Sequence, residues 1–514
     1  MGKILLSRVT QDLFLSVTLS VLNLLPVWRV LIFSSAEDQY FIPSHSPSSY
    51  VASILITIVL TTVFFIALQL LNKKNKPAKI GRFGIIIVAL LNPLNFLRTT
   101  FEVLTVADIV GHPFIAGISF LTISLTALYF GFRFRNKLLI SLQFFLLLFF
   151  PFALGVIVQA FWFIGIVEDA PKMNLITHEM SQRKLKVIWI LFDAMDERLF
   201  TSEKVDRKYV DEFLKFRDSS IVFSHALKAN GTTMANIPSM IIGRQVSKAE
   251  PVNSSSLRLW FEDNEPPVYW EAQPGVFHDV SARGLNASIV GFYHPYCRIF
   301  SGIVDRCISF NFRSPVHQDY PDIGTAIGEQ ARVLSPFYRN QNAIINFKTI
   351  LSETKSLLDS RDIDLIFVHF PISHPPSIWD RDNSRFRSGL NMWSETDYLD
   401  NVALANNTLR ELRLQLENAG IWESSAILIN SDHGVSTFWS SKKADDRLSF
   451  VLKMPYQQHR VDFSHQIEGS LVRSLIEGIF SKKYSNVDQL IESLNNVPSK
   501  TEIGSTKPES TPSH

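Results

Sequence analysis

The sequence predicts an all-α transmembrane bundle followed by an α/β domain with a mostly parallel sheet flanked by helices. Three observations predict it. The 514-residue chain is 46% apolar overall, yet its first third is dense in Leu, Ile, Val and Phe while the rest reads as an ordinary soluble sequence. Most of the apolar runs in that first third approach the roughly 20 residues that a helix needs to cross a bilayer. Beyond them, short apolar runs of strand length alternate with helical periodicity, which is the mark of an α/β layer structure. A chain this long exceeds one ordinary core. The boundaries are set at 1–170 for the membrane part, 171–498 for the exported domain and 499–514 for a Ser/Thr/Pro/Lys-rich tail expected to be disordered.

Five apolar runs define the bundle: Leu13 to Phe33, Val51 to Leu71, Phe83 to Leu104, Phe114 to Gly131 and Leu138 to Ile166. Soluble bundle helices keep a polar face, and these runs mostly lack one. The first is not a removable signal peptide, because further runs follow it and no small-residue cleavage site stands out. Loop charge orients the bundle. Lys3 and Arg8 precede the first run; Lys73, Lys74, Lys76, Lys79 and Arg82 separate the second from the third; Arg133, Arg135 and Lys137 separate the fourth from the fifth. The alternate loops carry Glu37 and Asp38, then Asp108, then Glu168 and Asp169. Basic loops stay cytoplasmic, so the N-terminus is expected inside and everything after Ile166 outside. Arg29 is expected to snorkel to the outer surface. Arg98, beside Asn92, Pro93 and Asn95, marks either a polar interior or a broken helix.

The formal charge of +2 offers no electrostatic case for nucleic acid. The only cysteines, Cys297 and Cys307, lie close together in the exported part, where a local disulfide is expected; a metal site would need a second pair.

In the exported part, Val187–Phe192, Ala287–Phe292, Leu365–Phe370, Ala426–Asn430 and, more weakly, Phe450–Lys453 read as buried strands. Asp400 to Ala419 reads as a packing helix, with Leu404, Leu409, Leu412 and Leu416 at helical spacing. Several strands end at metal-binding residue types. Asp193 follows the first, His374 follows LIFVHF in VHFPISHPP, and Asp432 and His433 follow AILIN in INSDHG. Active residues of such sheets gather past the carboxyl ends of the strands, and carboxylate oxygen with imidazole nitrogen suits zinc or manganese. In ANGTTMANIPSMIIGR, Asn-Gly signals a turn, and Thr232 and Thr233 stand where a helix can begin. A Thr there is either an N-cap or a nucleophile beside a metal, with the free N–H groups of the helix end turned to a phosphate. The segment alone leaves both open. Asn236 on the same helix, and His294 in YHPYC, are candidate pocket residues; for His294 a purely structural place is an equal alternative.

The ordered set FDAMDE, GTTMANIPSMIIG, FPISHPP and SDHG resembles the alkaline phosphatase and sulfatase superfamily. With membrane spans in front, the whole chain is similar to the phosphoethanolamine transferases and lipoteichoic acid synthases. The resemblance implies a sulfatase-like catalytic domain that holds one divalent metal, zinc first and manganese or calcium as alternatives. The ligands carried over are Asp193, Thr233, Asp432 and His433, with Thr233 as nucleophile because it lies five residues before Pro238. His374 takes the place of the histidine of the family's SHGP motif and is the expected acid–base residue. Also implied are a membrane phospholipid donor, a lipid or glycan acceptor, and a multi-pass place in the cell (inner) membrane with the catalytic domain periplasmic or extracellular.

The pattern departs from the family's in two places. Transferases of this kind usually have Glu where Asp193 stands. The histidine that usually follows SDHG by about a dozen residues is missing, and Asp445 and Asp446 lie there instead, so a second metal is not carried over. Two other classes compete with transfer. A formylglycine sulfatase needs Cys or Ser followed by Pro and Arg, which Thr233-Met234-Ala235 lacks, and a two-metal phosphodiesterase needs a further Asp and two His. A degenerate domain that only binds glycan or a partner is the third class, and the retained Asp193, Thr233, His374, Asp432 and His433 weigh against it.

Overall fold

The computed structural model describes residues 7–41, 46–72, 76–100, 134, 137–165, 185–262, 265–310, 322–335, 337–387, 395–435 and 446–496. The chain divides into two units. One holds Met1–Lys172 together with Arg313–Arg339, and the other holds Met173–Phe312 and Asn340–His514. The second unit is therefore interrupted: the described residues 322–335 and 337–339, which the sequence boundaries assign to the exported domain, group with the first unit.

The first unit is helical. Pro47–Leu70, Lys76–Leu97 and Lys137–Ile164 are long and apolar enough to cross a membrane. The first apolar run is not one straight helix. Arg8–Asn23 and Leu25–Ile32 meet at a 73° bend and count as a fourth span only as a pair. Pro26 explains the break, since it opens the second helix without supplying an N–H. The expected run from Phe114 to Gly131 lies outside the described residues.

Arg82 corrects the loop reading. It lies inside the helix Lys76–Thr100, buried against Asp12, with Nη2 2.5 Å from Oδ1 and Nη1 3.0 Å from Oδ2. Gln69 Nε2 donates to the same carboxylate at 3.0 Å. Two charges shielded from water are tolerable only when paired in this way. Lys76 and Lys79, at the start of that helix, remain exposed. Arg29 Nη2 reaches Asp38 at 3.1 Å, so its charge is spent on the adjacent acidic turn. The Asn92 side chain donates to the Asn23 carbonyl at 3.0 Å.

The returning segment carries the helix Ile323–Ala331. Asp322 caps it, its carboxylate accepting from the Thr325 amide at 2.8 Å. Gln330 is fully buried; it accepts from Ser53 Oγ at 2.7 Å and donates to the Ser49 carbonyl at 2.9 Å. Both serines lie in the first two turns of the span Pro47–Leu70.

The second unit is built on an eight-stranded sheet. In chain order its strands are β1 (Val187–Phe192), β2 (Ile221–Phe223), β3 (Ala287–Phe292), β4 (Arg306–Phe310), β5 (Leu365–Phe370), β6 (Ala426–Asn430), β7 (Phe450–Lys453) and β8 (Val461–Phe463). Their spatial order is β8-β2-β7-β6-β1-β5-β3-β4. The strands β6, β1, β5, β3 and β4, the last at the sheet's edge, run parallel, and β7 is antiparallel to both its neighbours. The five apolar runs read from the sequence are the strands β1, β3, β5, β6 and β7, each buried along its whole length. A parallel sheet covered on both faces needs such continuous apolar strands. The helix Glu395–Asn418 buries Leu404, Leu409, Leu412 and Leu416, each contributing roughly 1.5–3 kcal/mol by leaving water. A separate three-stranded antiparallel sheet, Val246–Pro251, Leu257–Phe261 and Val268–Tyr269, follows the helix that carries Thr233.

Candidate metal centre and nucleophile

Two central strands deliver the carboxylates. In register, Leu191 of β1 faces Asn430 of β6, and two residues further on each chain come Asp193 and Asp432. Side chains alternate across a strand, so both carboxylates continue one face of the sheet. Just after Asp193 the backbone turns through Ala194, whose φ of 60° is a left-handed conformation that a Cβ disfavours. The turn is held from both sides. Tyr398 donates its hydroxyl to the Ala194 carbonyl at 3.0 Å, and the Ala194 amide donates to Asp432 Oδ1 at 3.2 Å.

His433 completes the cluster. Its Nδ1 donates to the Gly434 carbonyl at 2.9 Å, which turns Nε2 toward the carboxylates. That Nε2 lies 3.5 Å from Asp193 Oδ1 and 3.6 Å from Asp432 Oδ2. Gly434 is required by close packing: a Cβ there would sit 2.6 Å from Asp196 Oδ2. Asp196 cannot yield easily, being buried and held by Arg198 Nη2 at 2.7 Å.

Asp193, Asp432 and His433 each bring a ligand atom within 4.8 Å of the others. Asp193 Oδ1 and Asp432 Oδ2 are buried without a hydrogen-bond partner. Two orphaned carboxylate oxygens facing an imidazole nitrogen are costly in an apolar interior unless a cation sits among them. The donor set fits a divalent metal, and zinc accepts this mixture of oxygen and nitrogen. The electrostatics agree. Burial, then the neighbouring Asp432 charge, pushes the Asp193 carboxyl well above its ordinary range. Burial works against ionised Asp432 as well, but His433, His369, the Thr233 hydroxyl and the Ala194 amide outweigh it and hold Asp432 low.

Thr233 opens the helix Thr233–Ile242 and is buried, whereas Thr232 is exposed. Thr232 occupies the N-cap position by its backbone, yet its side chain makes no capping bond. Of the two, Thr233 is the one whose hydroxyl contributes to holding the Asp432 carboxyl low. Its helix ends at Gly243, in the left-handed C-cap conformation at φ 79°.

Asn236 and His294 are committed to this loop. The Asn236 side chain accepts from the Asn230 amide at 2.8 Å and donates to the Asn230 carbonyl at 2.7 Å, cross-bracing the turn before Thr233. His294 Nε2 lies 3.3 Å from the Thr233 carbonyl, and burial draws its pKa down to about 3, so the ring is a neutral donor. Both hold the backbone around Thr233 in place.

His374 follows β5. Its Nδ1 donates to the Pro375 carbonyl at 3.0 Å, and its ring meets His433 edge-on at 6.3 Å between centroids. Burial lowers its pKa, so it is available as a base at neutral pH. Asp445 lies outside the described residues. Asp446 is turned to another task, pairing with Lys228 at 3.2 Å. Cys297 and Cys307 form a disulfide with Cα atoms 5.4 Å apart.

One residue of this site passes unnoticed in the sequence. His369 lies inside β5, fully buried, and burial brings its pKa to about 4. Its strand reads as uniformly apolar. The only signal was a histidine within a run that otherwise had no polar residue.

No family model matches the chain, and no curated protein matches it. Several solved structures resemble it. A phosphonate monoester hydrolase of Agrobacterium radiobacter is 10% identical, with a TM-score of 0.37 over 56% of this chain and 72% of that one. The lipoteichoic acid synthase LtaP from Listeria monocytogenes is 11% identical, with a TM-score of 0.37 over 58% and 74%. A 2-O GAG sulfatase is 12% identical, with a TM-score of 0.38 over 57% and 70%. Likenesses this distant carry nothing about chemistry, which is read from the residues above.

Proposed function

We propose that this chain is a metal-dependent membrane phosphotransferase. In this reading it moves a phospholipid-derived phosphoryl head group, such as phosphoethanolamine, through Thr233 to a lipid or glycan acceptor outside the cytoplasm. The observation that carries the reading is buried Thr233, which opens a helix and whose hydroxyl acts on Asp432 of the Asp193–Asp432–His433 cluster.

Asp193, Thr233, Asp432 and His433 would hold the cation, which supplies charge neutralisation at the phosphoryl oxygens and lowers the cost of ionising the threonine hydroxyl. The chain's own residues do the rest. Thr233 Oγ attacks the phosphorus of a phosphodiester; the bond to the lipid alcohol breaks and that alcohol leaves with a proton. The N–H groups at the helix start turn toward the phosphoryl oxygens. In the second half, an acceptor hydroxyl attacks the phosphothreonine diester and gives its proton to His374, and Thr233 is restored. Burial keeps His374 in its basic form for that step. The loop charges and the disulfide favour an extracytoplasmic place for this unit, in a cell membrane spanned by the helices of the other.

The test is intact mass spectrometry of the full-length, detergent-solubilised protein after incubation with phosphatidylethanolamine-containing phospholipid. The reading expects added mass on Thr233, persistent until an acceptor alcohol is supplied. Rapid loss of that mass to water alone would make the protein a hydrolase. No adduct under any phospholipid would overturn the covalent mechanism.

A further inference from the structure

The buried histidine in β5 belongs to a network that the mechanism above does not use. His369 stands in register with Leu191, which in turn faces Asn430. Residues in register share a face, so His369 lies on the face that continues into Asp193 and Asp432. That face looks toward the nucleophile's helix, for Asn430 Nδ2 reaches Met240 Sδ at 3.2 Å. The charges acting on His369 are those of the site: Asp432 first, then His433 and His374.

One edge of the ring is fixed. Tyr296 is fully buried, and its hydroxyl lies 3.0 Å from His369 Nδ1. The tyrosine ring itself is seated over Gly291 of β3, where a Cβ would fall 2.1 Å from Tyr296 Cδ2. Any other residue at position 291 would evict the tyrosine. Trp270 closes the other side, edge-on to Tyr296 at 6.4 Å and to His294 at 4.9 Å. The Phe292 carbonyl, which accepts from the His294 amide at 3.0 Å, also faces the histidine and favours its protonated form. The opposite edge is different: Nε2 is buried and makes no hydrogen bond among the described residues. Leaving a ring nitrogen unsatisfied costs stability, and a ligand that enters the site would satisfy it.

We propose that His369 is a further catalytic residue whose Nε2–H donates to a non-bridging oxygen of the phosphoryl group held against Thr233, with Tyr296 setting its tautomer. This rests on the reading of the site as one that holds a phosphoryl group. With the Tyr296 hydroxyl donating to Nδ1, the ring proton resides on Nε2. A neutral donor suits an anion that already faces two carboxylates, because it adds no charge that would draw them away from the metal.

The experiment measures inorganic phosphate binding to the zinc-loaded, full-length protein in detergent by calorimetry. His369→Phe should weaken phosphate about tenfold, the worth of one hydrogen bond to a charged group, with zinc stoichiometry and unfolding temperature unchanged. His369→Gln, which keeps a donor near the same point, should recover part of the loss. Tyr296→Phe should fall between wild type and His369→Phe, and adding it to His369→Phe should weaken binding no further, because the tyrosine acts only through the histidine. Wild-type phosphate affinity in His369→Phe, additive losses in the double variant, zinc loss in step with phosphate loss, or no phosphate binding by the wild-type holoprotein would each overturn the proposal. Should His369→Phe not fold, unchanged phosphate affinity in both Tyr296→Phe and His369→Gln overturns it equally. Absence of a Thr233 adduct while these phosphate affinities shift as stated would instead overturn the transfer reading and leave the role of His369 standing.

Discussion

Adding one methyl group at Gly434 should disable the metal centre without touching any proposed ligand. In Gly434→Ala the new Cβ would lie 2.6 Å from Asp196 Oδ2 and 3.2 Å from Asp196 Cγ. Ordinary contact begins near 3.4 Å, so the overlap with the oxygen is close to 0.8 Å. The aspartate has little room to retreat. It is buried, its carboxylate takes Arg198 Nε at 2.8 Å and Nη2 at 2.7 Å, and its amide faces the Tyr398 hydroxyl at 3.2 Å. The strain therefore moves the 434 backbone, whose carbonyl holds His433 Nδ1 at 2.9 Å. Overpacking of this kind costs about 1–3 kcal/mol, and displacing the partner that orients a metal-binding histidine typically costs 10–100-fold in affinity. The assay is zinc titration of the full-length protein against a competing chelator, with thermal unfolding in parallel. Zinc should bind about 10–100-fold more weakly, and Asp196→Ala combined with Gly434→Ala should restore part of the affinity by removing the obstructing oxygen. Wild-type zinc affinity in Gly434→Ala would refute the coupling between Asp196, Gly434 and His433.

Thr233→Ala should abolish adduct formation and turnover while zinc still binds through Asp193, Asp432 and His433. Thr232→Ala should retain activity and change stability by less than about 0.5 kcal/mol, since its side chain makes no capping bond; unfolding and activity of the pair decide the register of the nucleophile. The stability of metal-free wild type relative to Asp193→Asn should fall as pH rises, a comparison that cancels the opposite slope of the buried histidines His294, His369 and His374. The Asp193 carboxyl is raised in the fold, so its protonated form stabilises the native state at acid pH, and that contribution disappears as pH climbs from the ordinary carboxylate range through the raised value. Added zinc should remove this slope, as unfolding temperatures across pH with and without chelator would reveal. Reducing Cys297–Cys307, which closes a loop of sequence separation 10, should cost about 3 kcal/mol of stability by loop entropy. Zinc stoichiometry should not change on reduction, because neither cysteine belongs to the ligand cluster.

Much of this protein is determined locally, and the sequence shows that part. A strand covered on both faces must be apolar along its length, so VIWILF, ASIVGF, LIFVHF and AILIN are visible as they stand. Polar residues just beyond such runs fall at the open end of a parallel sheet, which is why Asp193, Asp432 and His433 were legible before they were seen together. The family resemblance, through the spacing to Pro238, favours Thr233 over Thr232, and on the folded helix Thr233 is the buried one of the two. The membrane helices follow from length and composition, but the bend after Asn23 depends on how the chain packs around Pro26.

Only the tertiary structure decided the rest, because those residues take their meaning from partners far away in sequence. Arg82 reads as a loop charge until Asp12, 70 positions away, is placed against it. Asn236 and His294 read as pocket residues, and only the fold shows that both also hydrogen-bond the backbone around Thr233. Gln330 lies in an ordinary amphipathic stretch, yet its amide is satisfied by Ser49 and Ser53, more than 270 residues earlier. His369 is the clearest case. Periodicity marks it as one more buried position, and what distinguishes it is a hydroxyl from another strand's loop, seated on a glycine that leaves the space. Hydrophobic pattern is a property of neighbours along the chain. A hydrogen-bonded network is a property of neighbours in space, and folding alone brings those together.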